Sequence, residues 1–270
     1  MNQQSAIVKW NEEIGTNTYR MGLSCSHNGY EGALPGQFVM VRSQSTLTPL
    51  LRRPFSISGL IGDDQRPDGI ELLYRVVGTG TAHMAQLTVG QSLDIIGPLG
   101  RGFKLRPAFQ TIYLAAGGIG VAPIRFLAHH LVRHGVAPTG IQLFLGGQSR
   151  EQLLCRDELA TLGINVIATT DDGSEGLQCL LTDPLEAAII HQIPDMVYAC
   201  GPHGMLQCIE GIVKRHKIPC QISMETVMAC GMGACLGCAV PAADTPDQYR
   251  HVCIEGPVFD IGLVDLTDHH

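Results

Sequence analysis

The sequence predicts a multidomain fold of β and α/β parts. An antiparallel β-barrel comes first, then a doubly wound parallel-sheet unit, then a small C-terminal cysteine-rich domain. Three observations carry this. Over residues 1–105, short apolar and β-branched runs are separated by Gly, Pro and Asn clusters. Over residues 106–222, strand-like and helix-like runs alternate, the pattern of a parallel sheet with covering helices. Over residues 223–270, regular patterning fades and Gly, Cys and Pro dominate as far as Phe259.

The first block holds six candidate strands, at residues 6–10, 18–25, 37–42, 55–60, 70–77 and 92–96. Their number and shortness suit a small barrel. Gly78-Thr79-Gly80-Thr81 interrupts the rhythm, and Thr81 is placed to cap a short helix through Leu87. In the second block, strands are expected at 111–116, 141–145, 164–169 and 196–200. Helices are expected at 121–133, 150–162 and 183–191, and from Gly201-Pro202 to about residue 216.

The chain has 270 residues, enough for two domains, or two and a small appendage. Net charge is −7 and no basic block occurs, so nucleic acid is not an expected partner. Charged residues make up 16%, below the usual quarter, which suits a surface partly covered by another subunit. No apolar run is long enough to span a membrane, and Met1-Asn2-Gln3-Gln4-Ser5 shows no secretory pattern. The ten cysteines are therefore expected in a reducing cytoplasm, as metal ligands or buried thiols. Cys25, Cys155, Cys179, Cys208 and Cys220 read as buried, inert thiols. The eleven histidines read as ordinary surface or core residues, and His269-His270 alone is too short for a metal tract.

Cys230, Cys235 and Cys238 follow C-x4-C-x2-C, and Cys253 comes fourteen residues later. That is the spacing of plant-type 2Fe–2S sites. One short loop wraps three thiolates round a compact rhomb and a later segment supplies the fourth. Gly231, Gly233 and Gly237 let the loop turn tightly. A four-cysteine zinc site is the alternative, although zinc ribbons favour two close cysteine pairs.

Three further motifs are weaker alone. Gly117-Gly118-Ile119-Gly120 joins a strand to a helix, as a pyrophosphate site would, but Pro123 departs from the dinucleotide fingerprint. A structural tight turn explains it equally. Arg53-Pro54-Phe55-Ser56 brings a cation, an aromatic and a hydroxyl to a strand start, and Tyr74-Arg75 is a similar pair. Either fits a phosphate and flavin contact or a solvated face. Cys200 ends a strand before Gly201-Pro202, where open α/β sheets bind ligands, and is placed to line a nucleotide pocket.

Taken in order, these motifs resemble the ferredoxin-reductase-type flavoproteins. More narrowly, they resemble the electron-transfer subunits of class B, NAD-dependent dihydroorotate dehydrogenases. The resemblance runs over the whole length and includes Gly97-Pro98-Leu99-Gly100-Arg101-Gly102-Phe103 and Gly256-Pro257-Val258-Phe259. It implies an FAD-binding barrel at 1–105, an NAD-binding unit at 106–222 and a 2Fe–2S domain at 223–270. Arg53, Pro54, Phe55, Ser56, Leu73, Tyr74, Arg75, Gly80 and Thr81 would hold FAD. Gly118, Gly120, Cys200, Gly201 and Pro202 would receive the nicotinamide nucleotide. Cys230, Cys235, Cys238 and Cys253 would hold the cluster, with Val258 and Phe259 shielding it or serving the core. NAD is favoured over NADP because Glu151 beside Arg150 would repel a 2′-phosphate.

The resemblance also implies a partner. An FMN-bearing catalytic subunit would oxidise dihydroorotate to orotate within a two-plus-two heterotetramer. Electrons would enter this chain at the cluster, collect on FAD and leave as hydride to NAD⁺, with no catalytic side chain required. The rival readings are the same fold serving a sulfite reductase, a sulfide dehydrogenase or an NADH–ferredoxin reductase, and a zinc-stabilised scaffold.

Overall fold

A computed structural model describes residues 2–25, 29–43, 50–63, 65–106 and 108–267, so His269 and His270 lie outside the described residues. Strands β1 (Asn2–Gly15), β2 (Thr18–Ser24), β3 (Phe38–Ser43), β4 (Arg53–Asp63), β5 (Arg66–Arg75) and β6 (Ser92–Leu99) close an antiparallel barrel in the order β1-β2-β5-β4-β3-β6. The six expected strands are present. β1 and β4 outrun their apolar runs because their polar ends still pair: Glu13 lies opposite Tyr19, and Asp63 opposite Arg66. Ala6, Val8, Leu23, Val39, Ile57, Ile70, Leu72 and Leu93 fill the interior. Helix α1 (Thr79–Ala85) starts two residues before the expected cap. Its Thr81 hydroxyl instead accepts from the Val77 and Gly78 amides, at 2.9 and 3.2 Å.

The second unit alternates β7 (Ile112–Gly117), α2 (Val121–Arg133), β8 (Ile141–Gly147), α3 (Arg156–Thr161), β9 (Asn165–Thr170), α4 (Thr182–His191), β10 (Met196–Cys200), α5 (His203–His216) and β11 (Cys220–Ser223). With β14 (Val258–Asp260) these strands form one sheet, ordered β14-β11-β10-β7-β8-β9 and parallel except for β14. β8 and β9 extend from one side of β7, and β10 and β11 from the other. The chain therefore reverses its strand order between β7 and β10, where open sheets bind ligands beyond the strand ends.

Three features differ from the expectation. The helix expected at 150–162 is broken: a 3-10 turn covers Arg150–Gln152, Leu153 and Leu154 turn inward, and Cys155 adopts φ 59° before α3. β11 is only four residues long, too short to show a period. The C-terminal segment is also not wholly irregular. It carries β12 (Ala239–Pro241), β13 (Tyr249–His251) and α6 (Val252–Glu255), and it returns to the sheet as β14.

Helix α2 is the joint between barrel and sheet. Ile124, Leu127, Ala128 and Leu131 pack on the sheet, whereas Phe126 packs with the barrel core. Arg125 lies on the barrel side and is only 5% exposed. Its Nη1 donates to the Ser58 carbonyl at 2.7 Å, and Nη2 meets Glu158 at 2.6 Å. Glu71 stands 3.4 Å from Nη1 and is itself 2.6 Å from Arg20. His129 approaches Glu158 at 3.0 Å. Burial alone would raise the Glu158 carboxyl. The hydrogen bonds from His129 and Arg125, with the charges of Arg125 and Arg20, bring it down to about 2.

Truncating Arg125 takes one cation from two carboxylates at this joint and leaves the Ser58 carbonyl without its donor. Arg125→Met should cost about 3 kcal/mol in chemical denaturation. Because the Glu158 carboxyl is held below its unfolded value, its contribution is fully present above pH 4.5 and is lost as pH falls toward about 2. Glu158→Gln should flatten that part of the stability–pH curve, and a curve of unchanged slope would contradict the assignment.

Candidate functional site

Two of the cavities along the joint are lined by the motif residues. The first, of about 460 Å³, lies between the barrel, α1 and the C-terminal segment. Antiparallel pairing of β4 with β5 brings the start of one strand beside the end of the other, with Ile57 opposite Leu72. Arg53, Pro54, Phe55 and Ser56 therefore share this cavity with Leu73, Tyr74 and Arg75, and the first turn of α1 adds Gly80 and Thr81. Tyr74 is fixed from behind, donating to Asn11 Oδ1 at 3.0 Å and stacking on Tyr19. Phe55 meets its edge. Ile119, Ala122, Met224, Met228 and Pro257 close the far wall.

The second cavity, of about 800 Å³, sits at the reversal point of the sheet. Gly118 and Gly120 line it from the β7–α2 turn, and Gly201 and Pro202 from the β10–α5 turn. Gly118 takes φ +53°. A Cβ on Gly120 would strike the Cys200 carbonyl, so the two turns touch through backbone. Cys200 is not among the residues lining this cavity. It is 2% exposed behind Gly120, and burial raises its thiol well above the usual range. Arg150 and Glu151 also lie outside the lining, where Arg150 faces Glu175 at 3.7 Å and Glu151 accepts from the Thr16 hydroxyl. The acid in the wall on that side is Asp171, just beyond β9.

Four residues line both cavities: Arg75, Ile119, Met224 and Glu225. Glu225 carried no motif in the sequence. Burial raises its carboxyl and the Arg75 charge opposes that rise.

The four motif cysteines form two close sets. Cys230 Sγ accepts from the amides of Met232 and Cys235, at 3.5 and 3.4 Å. Desolvation would raise this thiol, but amide donors from Met232, Cys235 and Ala234 outweigh it and bring it down to about 6. The Sγ atoms of Cys238 and Cys253 lie 3.1 Å apart. The fourteen-residue gap between them is a β12–β13 hairpin that returns the chain: Ala239 pairs with His251, and the Val252 amide donates to the Cys238 carbonyl at 3.1 Å. Gly233, at φ +82°, passes so close to Ile254 that a side chain would clash. Among the described residues no three His, Cys, Asp or Glu side chains surround a single-ion point. Two sulfur pairs, each with backbone amide donors (the Cys253 amide reaches Cys238 Sγ at 3.5 Å), are the donor set that a two-iron rhomb takes. Met228 and Pro257, which wall the first cavity, stand two residues before Cys230 and four after Cys253.

Of the five isolated cysteines, Cys220 is buried and Cys25, Cys155 and Cys179 are half-buried. Burial pushes Cys25 up to about 12 and Cys155 up to about 11. Cys208 differs from the expectation: it is exposed, on α5, and lines the second cavity.

Comparison with known proteins agrees with this layout. Residues 225–265 match the iron–sulfur cluster binding domain of dihydroorotate dehydrogenase B, and residues 114–211 match an oxidoreductase NAD-binding domain. The "Dihydroorotate dehydrogenase B (NAD(+)), electron transfer subunit" of Bacillus cereus (strain B4264) is 38% identical over 276 residues, covering 98% of this chain and all of that one. The same subunit from Geobacillus sp. (strain WCH70) is 38% identical over 269 residues, again with 98% and 100% coverage. Among solved structures, an NADH-dependent reduced ferredoxin-NADP oxidoreductase shares the fold with a TM-score of 0.82 at 23% identity, covering 97% of this chain and 90% of that one. A subunit of this kind works beside a catalytic partner subunit. The barrel, the sheet with its NAD-binding match, the iron–sulfur match at the four cysteines and full-length identity to these relatives agree: the chain belongs to the electron-transfer subunits of NAD-dependent dihydroorotate dehydrogenase B.

Proposed function

We propose that FAD occupies the first cavity, that the nicotinamide ring of NAD enters by the second, and that Cys230, Cys235, Cys238 and Cys253 hold a 2Fe–2S cluster. The observation that carries this is the order of the three places. The first cavity shares four residues with the second on one side. On its other side it shares Met228 and Pro257 with the cysteine segment. When bound, the flavin would combine two single electrons from the cluster with one proton from solvent and so supply a hydride to NAD⁺. The partner in this reading is an FMN-bearing subunit that oxidises dihydroorotate to orotate, in a two-plus-two heterotetramer in the cytoplasm. The division into 1–105, 106–222 and 223–270 goes with it, the last part lending β14 to the sheet.

The residues have distinct tasks. Arg53 offers a cation to the FAD pyrophosphate, while Ser56 and the backbone of Leu73 to Arg75 bond the ring edge. The amides at the start of α1, beside Gly80 and Thr81, add phosphate donors. Tyr74, locked by Asn11 and Tyr19, holds the ring plane. Gly118, Gly120, Gly201 and Pro202 let the nucleotide approach backbone closely, with Cys200 supporting them from behind. Asp171 accepts from a ribose hydroxyl and disfavours a 2′-phosphate, which suits NAD. Ile119, Met224, Met228 and Pro257 exclude water. Hydride transfer moves no proton between side chains, so no general acid or base is assigned.

The test is anaerobic purification of the chain, alone and with its catalytic partner. The complex should carry about two irons and one FAD per chain. Dihydroorotate should bleach the visible bands only when the partner is present. Cys235→Ser should lose iron while keeping FAD. A colourless protein carrying zinc from both preparations would overturn the reading. Gly120→Ala, which pushes the glycine turn off the Cys200 carbonyl, should weaken NAD⁺ binding about tenfold in an equilibrium titration, with flavin content unchanged.

A further inference from the structure

We propose that the outer face of strand β3 is the dry seam between the flavin and the cluster, and that Met40 on this face holds the reduction potential of the cluster low. The proposal rests on the reading above, in which the first cavity takes FAD and the four motif cysteines take a 2Fe–2S cluster. Successive side chains of a strand point to opposite faces. On β3, Val39 and Val41 belong to the barrel core. Phe38 and Met40 point the other way, to the side where a free barrel would meet water. Both are instead buried, Met40 completely. They share one apolar cluster with Met228, Cys238, Val252 and Cys253 of the cysteine segment. Ile96, opposite Met40 on the neighbouring β6, joins the same cluster.

This face touches both cofactor places. Phe38 lines the first cavity, and its partner across the ladder is Ser56. Met40 lies opposite Pro54 of the same motif. Met40 also meets the cysteine loop itself. Gly231 is buried at φ +70°, and a Cβ there would strike the Met40 side chain. Gly231 stands between Cys230 and Met232, whose amide donates to Cys230 Sγ. Met40 therefore packs on the loop backbone beside a ligand, and a single strand joins that contact to the flavin motif.

Reduction adds negative charge to the cluster. Amide donors stabilise that charge, and apolar, water-free surroundings oppose it. The loop supplies the donors and Met40 supplies the opposing influence. Its thioether has no proton to donate, and its complete burial keeps solvent from that side of the loop. A cluster made too easy to reduce would keep its electron instead of yielding it to the flavin.

The experiment is an anaerobic redox titration of the FAD- and cluster-loaded complex, with the cluster followed by electron paramagnetic resonance and the flavin by its visible band. It compares wild type with Met40→Leu, Met40→Gln and Met40→Thr, with iron and FAD content as the check on folding. Met40→Gln keeps the length and adds an amide donor. It should favour the reduced cluster about tenfold, a rise of about 59 mV for a one-electron couple. Met40→Thr, a smaller polar residue suited to a strand, should shift the cluster in the same direction. Met40→Leu, apolar and of similar volume, should stay within about twofold of wild type. The FAD midpoint should hold in all three, because Met40 does not line the first cavity. Polar variants that keep their iron and titrate like Met40→Leu would overturn the role of Met40 alone. Loss of iron from both polar variants, with Met40→Leu intact, would overturn it too, since the contact would then serve folding only. A wild-type complex without iron would overturn the cluster reading and this assignment with it.

Discussion

The buried guanidinium of Arg125 fastens the barrel to the sheet, and the facing of the two cavities depends on that joint. Arg125 sits on α2, which packs against both units, and it satisfies a strand carbonyl and two carboxylates at once. Such a cluster is a weak source of net stability, since desolvation consumes much of its Coulomb gain. What it supplies is register: Ser58 on β4 and Glu71 on β5 are tied to Glu158 on α3 through one planar group. The same strands carry Arg53 to Ser56 and Leu73 to Arg75, so the joint sets where the first cavity faces the second.

The third part is placed by different means. The cysteine segment carries a charge cluster of its own, in which Arg250 pairs with Asp244 and Glu255 and donates to the Leu263 carbonyl at 2.9 Å. It leaves the sheet after β11 and returns through β14, so both ends are held by backbone pairing. The β12–β13 hairpin then sets Cys253 against Cys238. Cys235 is exposed and Cys230 half-buried, while Cys238 and Cys253 are buried. The cysteine set thus has an outer pair toward solvent and an inner pair covered by the protein that walls the first cavity. That arrangement suits electrons arriving from outside and moving inward.

Much of this was legible in the sequence because it is local. The C-x4-C-x2-C spacing and the strand–glycine–helix turn are short-range patterns, and their geometry is fixed within a few residues. Arg53 to Ser56 and Leu73 to Arg75 could be nominated as motifs, but their meeting depends on antiparallel register, which only the fold displays. Arg125 was not legible: a lone arginine in a helical run looks like a solvated residue, and only the second packing face of α2 buries it. Glu225 was hidden for a similar reason, since it follows a strand too short to recognise. Asp171 and Arg150 show the same limit. Both follow strands of the sheet, yet only Asp171 reaches the cavity.

The central claim is that the two cavities meet closely enough for hydride to pass directly between their occupants. Rapid-mixing spectroscopy of the anaerobic FAD- and cluster-loaded complex, with NADH and with NADH deuterated at C4, tests it most directly. The account predicts that the flavin band bleaches before the cluster bands and that deuterium slows this first phase. Cluster bleaching ahead of the flavin, or a first phase limited by chemistry yet indifferent to deuterium, would contradict it.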